Sequence, residues 1–159
     1  VGLFVLIQAI RKQIDIPIIA AGGIADGVGM AAAFAVGAEG IQMGTRFVSS
    51  KESPVHENFK NYIFDSPLNG TWILNKNSKP VIRALRTDFT KEILDAGEMD
   101  ISAMRKIQDL YFGGDMNAAP ALSGQSAGLI DGIKSAEEII EDTIREFNEI
   151  CSKLGGLKL

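Results

Sequence analysis

Apolar residues recur along this chain in two different periods, and the changes of period mark its elements. Leu3, Leu6, Ile7, Ile10 and Ile14 keep the i, i+3, i+4 spacing of one helix face, so the chain is expected to open as an amphipathic helix. Arg11 and Lys12 fall in its last turn, where the helix dipole favours cations. Pro17 then introduces a short apolar run, Ile18-Ile19-Ala20-Ala21, that does not alternate. Such a run suits a strand buried on both faces, as in parallel sheets. Gly22-Gly23 ends it, Asp26 is placed to cap the next helix, and Gly37 to stop that helix. A second buried strand, Gly40-Ile41-Gln42-Met43, finishes at Gly44-Thr45. Helix, strand, helix, strand is the signature of parallel β/α architecture. Short spacing and the right-handed crossover rule predict that residues 18–21 and 41–43 are adjacent parallel strands, with the helix over 27–36 as the crossover.

The pattern then changes. Ser53-Pro54 is expected to start a helix carrying Val55, Phe59, Tyr62 and Ile63, and Thr71-Trp72-Ile73-Leu74 reads as an isolated strand. Ile82, Leu85, Phe89 and Ile93 keep helical spacing, and another short helix is expected to hold Met104, Ile107 and Leu110. Gly113-Gly114-Asp115 and Gly124-Gln125-Ser126 read as loops. Ser135 with Glu138 makes a capping box for a long final helix, whose Ile140, Ile144, Phe147, Cys151 and Leu154 form one stripe. The expected organisation is residues 1–50 as parallel β/α units, 51–117 as a smaller, mostly helical lobe, and 118–159 as a return to the first part with the final helix.

Composition narrows the function classes. The chain has 159 residues, 46% of them apolar, enough for one ordinary globular domain. A formal net charge of −4, with no cluster of Lys and Arg, argues against a nucleic-acid partner or an anionic membrane surface. The single cysteine, Cys151, excludes an internal disulfide or a multi-cysteine metal cluster. Between Ile16 and Ala38 the only charge is Asp26, but Pro17 and the interspersed glycines break that stretch into a strand, a turn and a small-residue helix rather than a membrane span. No secretory signal pattern is present, and a cytoplasmic location is expected.

Candidate chemistry gathers at the two strand ends. In parallel β/α folds the C-terminal ends of strands face the ligand. Glycines there, Gly22-Gly23 and Gly44, let backbone N–H groups approach a phosphate without a Cβ in the way. Thr45 offers a further hydroxyl donor. Gln42, on an otherwise apolar strand, reads as a buried amide that needs partners; a bound cofactor or neighbouring backbone would serve equally. Arg46 is placed to pair with a phosphate or with a carboxylate of the fold, and the residues alone leave both open. The lone His56 reads as a solvated residue at a helix start, Cys151 as a core residue, and Glu137-Glu138 with Glu141-Asp142 as a solvated face.

The segment from Ile16 to Phe47, IPIIAAGGIADGVGMAAAFAVGAEGIQMGTRF, resembles the family of nitronate monooxygenases and type II enoyl-acyl-carrier-protein reductases. The segment from Gly113 to Ile130, GGDMNAAPALSGQSAGLI, is similar to that family too, as is Lys79-Pro80 with Arg83-Ala84-Leu85-Arg86. The resemblance covers nearly the whole chain and implies an α/β fold, the C-terminal portion of a flavin-mononucleotide-binding (β/α)₈ TIM barrel with an inserted, mostly helical small lobe that covers the substrate. Gly22 and Gly23 then resemble the phosphate loop after strand seven, Gln42, Met43, Gly44 and Thr45 the matching segment at strand eight, and Gln125 and Ser126 residues bordering the flavin.

The activity so implied is FMN-dependent oxidation of alkyl nitronates by oxygen to carbonyl compounds and nitrite. Enoyl-thioester reduction with NAD(P)H is the alternative, and a non-catalytic phosphate-binding half-barrel a third reading; a homo-oligomer is compatible with each. An eight-stranded barrel needs about 200 residues or more, so this chain, with two strand-and-helix units, is expected to be a fragment. The family's histidine lies in a Gly-Gly-His-Xaa-Gly-like stretch expected just upstream of Val1. His56 does not match it, and no catalytic residue is assigned within the chain.

Overall fold

A computed structural model describes residues 1–157; the last two positions of the expected 118–159 segment lie outside it. The chain forms two compact units, one from Val1–Gly44 with Ser135–Leu159, the other from Thr45–Lys134.

The first unit holds α1 (Leu3–Arg11), β1 (Ile19–Ala21), α2 (Gly27–Ala35), β2 (Gly40–Gln42) and the final helix, labelled α7 below (Ala136–Gly155). β1 and β2 pair in parallel, with Ile19 opposite Gly40, Ala20 opposite Ile41 and Ala21 opposite Gln42, and α2 is the crossover, as the pattern predicts. Local signals act where expected. Asp26 caps α2 by accepting from the Gly29 N–H at 2.8 Å, and Gly37 takes the left-handed φ of +107° that ends the segment. Ser135 and Glu138 form the capping box of α7. Arg11, at the end of α1, donates to the Gly37 carbonyl and pairs with Glu39, tying that turn down.

Two expectations are corrected in this unit. β1 is buried on one face only: Ala20 packs with Ile7, Ile18, Ile24, Ala33 and Ala38, while Ile19 and Ala21 are exposed. A two-stranded sheet with its helices on one side leaves the other face open. On α7 the buried positions are Ile139 and Thr143, one residue away from the expected stripe, while Ile140, Ile144, Cys151 and Leu154 are exposed. The reason is Gly27. A Cβ there would lie 2.5 Å from Glu146 Cβ, Phe147 N and Thr143 O, so α2 and α7 meet backbone to backbone at that point. This contact, with the Gly27 N–H donating to Glu146 Oε2 at 3.0 Å and Phe34 edge-on to Phe147, sets the rotation of α7.

The second unit contains α3 (Thr45–Val48), α4 (Glu57–Phe64), β3 (Thr71–Leu74), β4 (Ile82–Leu85), α5 (Asp88–Ala96), α6 (Ile107–Tyr111) and two short 3₁₀ turns, Ile101–Met104 and Gln125–Leu129. Its main core is Phe59, Ile63, Leu85, Leu110, Ala119 and Ala121. Phe59 meets Tyr111 edge-on, and burial pushes the Tyr111 phenol above its ordinary pKa.

The run from Ile82 to Ile93 is not one helix. Ile82–Leu85 is a strand pairing antiparallel with β3, so Thr71–Leu74 is not isolated. Leu85 and Arg83 also exchange backbone hydrogen bonds with Ala121 and Ser123. Thr87 then caps α5, with Thr90 completing the box. The other corrections are local. Val55 precedes α4, Met104 and Ile107 fall in separate turns, and Gln125 and Ser126 open a 3₁₀ turn rather than a plain loop. The described residues do not close a barrel; their sheets are a parallel pair and an antiparallel pair. No helix among them is long and apolar enough to cross a membrane.

Candidate functional site

The parallel register places Ala21 beside Gln42, which brings the C-terminal ends of β1 and β2 together in the first unit. Gly22 and Gly23 follow with φ of +100° and +74°, conformations that glycine takes readily and L side chains rarely do. Neither would place a Cβ within 4 Å of another group, and the same holds for Gly44 after the second strand. Among the described residues the backbone N–H groups of Gly23 and Gly44 donate to nothing. Unshielded donors on open loops at adjacent strand ends are the arrangement an anion needs. A cleft of about 370 Å³ opens beside Gly22 and Gly23, walled by Leu3, Phe4, Ile24 and Gly29.

Gln42 differs from expectation. Strand alternation puts it on the open face with Ala21, so it is exposed, and its side-chain amide makes no hydrogen bond among the described residues. Its amide is therefore not taken up by neighbouring backbone. Met43, next along, packs against the apolar core of the first unit.

The second unit collects Thr45, Gln125 and Ser126. Thr45 Oγ1 accepts from the Gly124 N–H at 2.9 Å, which leaves the hydroxyl proton available to donate. Gly124 is the N-cap of the turn that carries Gln125, exposed, and Ser126, buried. A Cβ on Gly124 would press on Thr45 Oγ1 at 3.3 Å and Ser126 Oγ at 3.4 Å, so a small residue lets these groups gather. The chain separation of Thr45 and Gly124 is 79 residues, and no local pattern announces the bond.

Arg46 is resolved in favour of an internal role. It is 4% exposed, donates to the Gly132 carbonyl at 2.9 Å and lies 3.9 Å from Asp131, so it holds the segment around Gly132 to α3. His56 stands at the N-terminus of α4, where Nδ1 accepts from the Asn58 N–H at 3.1 Å. Its ring fills the space over Gly114, where a Cβ would meet Nδ1 at 2.3 Å. His56→Ala is expected to lower stability by ~1 kcal/mol through loss of the cap. Thermal melts check this, and an unchanged melting temperature would show that the His56–Asn58 bond contributes nothing to the fold. Among the described residues no group of three or more His, Cys, Asp or Glu is placed to hold a metal ion.

A family model described as nitronate monooxygenase matches residues 1–146. A probable nitronate monooxygenase of Staphylococcus saprophyticus is 31% identical over 96% of this chain and 45% of its own length. The structure of FabK from Thermotoga maritima superposes with a TM-score of 0.89 at 44% identity, over 98% of this chain and 52% of that one. A nitroalkane oxidase from Streptomyces ansochromogenes does so with a TM-score of 0.82 at 26% identity, over 97% of this chain and 46% of that one. The chain thus spans about half the length of the proteins it matches.

Proposed function

The chain belongs to the nitronate monooxygenase family, and from that premise we propose that it supplies the cofactor-phosphate grip of an FMN-dependent oxidoreductase built on a (β/α)₈ barrel. The observation that carries this reading is the pair of adjacent strand ends, Gly22-Gly23 beside Gln42–Gly44, with backbone donors unshielded by side chains. Loops after the last two strands of a barrel are the recurrent phosphate site of that architecture.

The residues fit the group. Gly23 and Gly44 would donate backbone N–H bonds to phosphate oxygens, and the Thr45 hydroxyl, oriented by Gly124, would add another. The exposed Gln42 amide would bond polar edges of the cofactor; Gln125 and Ser126 are proposed as further cofactor residues on the family resemblance alone. When bound, FMN supplies the electron transfer, and the chain's part is to bind, orient and exclude water. The reaction proposed is oxidation of an alkyl nitronate by oxygen. One observation favours a second chemistry, enoyl-thioester reduction with NAD(P)H: the 44% identity to FabK, an enoyl-acyl-carrier-protein reductase.

The test uses a protein of the relatives' length carrying this segment. It is expected to purify yellow and to consume oxygen with a nitronate. NAD(P)H oxidation dependent on a short enoyl thioester, without nitronate turnover, would select the second chemistry. A colourless protein that takes up no FMN on titration would defeat both and leave the non-catalytic half-barrel. Thr45→Ala is expected to weaken FMN about ten- to a hundredfold, as loss of one hydrogen bond to a charged acceptor costs ~1.5–3 kcal/mol. FMN titration of the apoprotein measures it, and unchanged affinity would remove Thr45 from the grip.

A further inference from the structure

α4 buries a lysine. Lys60 shares the inner side of that helix with Phe59 and Ile63 and is 7% exposed. Its ammonium donates to the Lys51 carbonyl at 3.1 Å. Among the described residues this is its one side-chain bond, and no carboxylate stands within ion-pairing distance. As a device for stability the arrangement is poor. A buried ammonium gives up its hydration, and a single bond to a neutral carbonyl does not return it. Replacing such a group with an apolar one of similar length is commonly neutral or stabilising.

The acceptor gives the lysine a different use. Lys51 lies three residues past the end of α3, the single turn of helix that Thr45 opens. A helix so short does not hold its own geometry, so its direction depends on what anchors it. Near its start Arg46 donates to the Gly132 carbonyl at 2.9 Å. Within it the Ser49 N–H donates to the Thr45 carbonyl and the Ser49 hydroxyl to the Arg46 carbonyl. At its exit the Lys51 N–H donates to the Lys134 carbonyl at 2.9 Å, and Lys60 holds the carbonyl of the same residue.

We infer that Lys60 is a positioning residue for the Thr45 hydroxyl, fixing the exit of α3 so that the hydroxyl is presented to the cofactor phosphate. Lys51 is an exposed residue, so without the ammonium its carbonyl turns to water and the turn relaxes. The loss then falls on the ligand rather than on the fold. The inference rests on the proposed phosphate grip, and specifically on Thr45 belonging to it.

FMN titration and thermal melting of the apoprotein test it, in a protein of the relatives' length, across wild type, Lys60→Met, Thr45→Ala and the double variant. Lys60→Met keeps an unbranched stem and removes the ammonium. It is expected to weaken FMN about tenfold, no more than Thr45→Ala does, because the hydroxyl is displaced rather than removed. The melting temperature of the apoprotein should stay the same or rise. In the Thr45→Ala background the same substitution should change the affinity less than about twofold, since the group through which it acts is gone. A lysine that only supports the fold gives the opposite result, a lower melting temperature and equal loss of affinity in both backgrounds. Either of those findings, failure of Lys60→Met to fold, or an FMN affinity unchanged by it would overturn the inference. A wild-type protein that takes up no FMN would instead end the phosphate grip itself, so the two failures are told apart.

Discussion

Gly23→Val is expected to strip the proposed cofactor from the protein. At φ +74° a β-branched residue is strained, and the left-handed region costs an L residue ~1–2 kcal/mol. The chain itself leaves room, since a Cβ at Gly23 meets nothing within 4 Å. What the branched side chain would occupy is the open space over the loop, where a phosphate oxygen must approach the backbone N–H. We expect FMN affinity to fall more than about a hundredfold, or beyond ~2.7 kcal/mol. Gly97→Val is the control. Its φ is +80° and its Cβ also meets nothing, but it ends α5, a helix of the other unit that carries no proposed cofactor contact. The measurement is FMN absorbance per protein after gel filtration, with titration of the apoprotein. A yellow Gly23→Val protein would move the phosphate elsewhere, and equal loss in Gly97→Val would make the effect one of stability alone.

The largest stability effect is expected at Gly27. Valine or alanine there would drive a Cβ to 2.5 Å from the α7 backbone at Thr143 and Phe147, and backbone cannot swing aside. Forcing the two helices apart also lengthens the bond from the Gly27 N–H to Glu146 and disturbs the Phe34–Phe147 contact. Overpacking of this kind costs about 1–3 kcal/mol, and a backbone clash belongs at the upper end. Gly29→Ala, two residues on, makes the comparison. Its Cβ would approach Ile24 Cγ2 at 3.2 Å, a contact a side chain can relieve, and alanine gains ~1 kcal/mol of helix propensity over glycine. Denaturant unfolding should therefore show a large loss for Gly27→Ala and near neutrality for Gly29→Ala. Equal midpoints for the two variants would contradict the backbone contact between α2 and α7.

What the sequence determined by itself is the part governed by local rules. Apolar runs ended by glycine defined β1 and β2, and the link between them, long enough to hold one helix, made the parallel crossover the expected connection. Asp26, Gly37 and the Ser135–Glu138 box set helix ends through bonds spanning three residues or fewer, so their geometry follows from neighbours alone. The glycines at the first strand's end were legible for the same reason, because the tight turn there takes positive φ at Gly22 and Gly23. Tertiary structure decided the rest. The spacing of Ile82, Leu85, Phe89 and Ile93 matches a helix, but bonds from β4 to β3 and to Ala121 and Ser123 hold the first two residues extended. Which stripe of α7 is buried depended on a glycine more than a hundred residues away, since only at Gly27 can the two backbones touch. Arg46 had two admissible partners in the sequence, and the fold gave it the Gly132 carbonyl and Asp131. Gln42 reads as buried along the chain, yet pleat and register turn it to the open face, the property on which its proposed role depends.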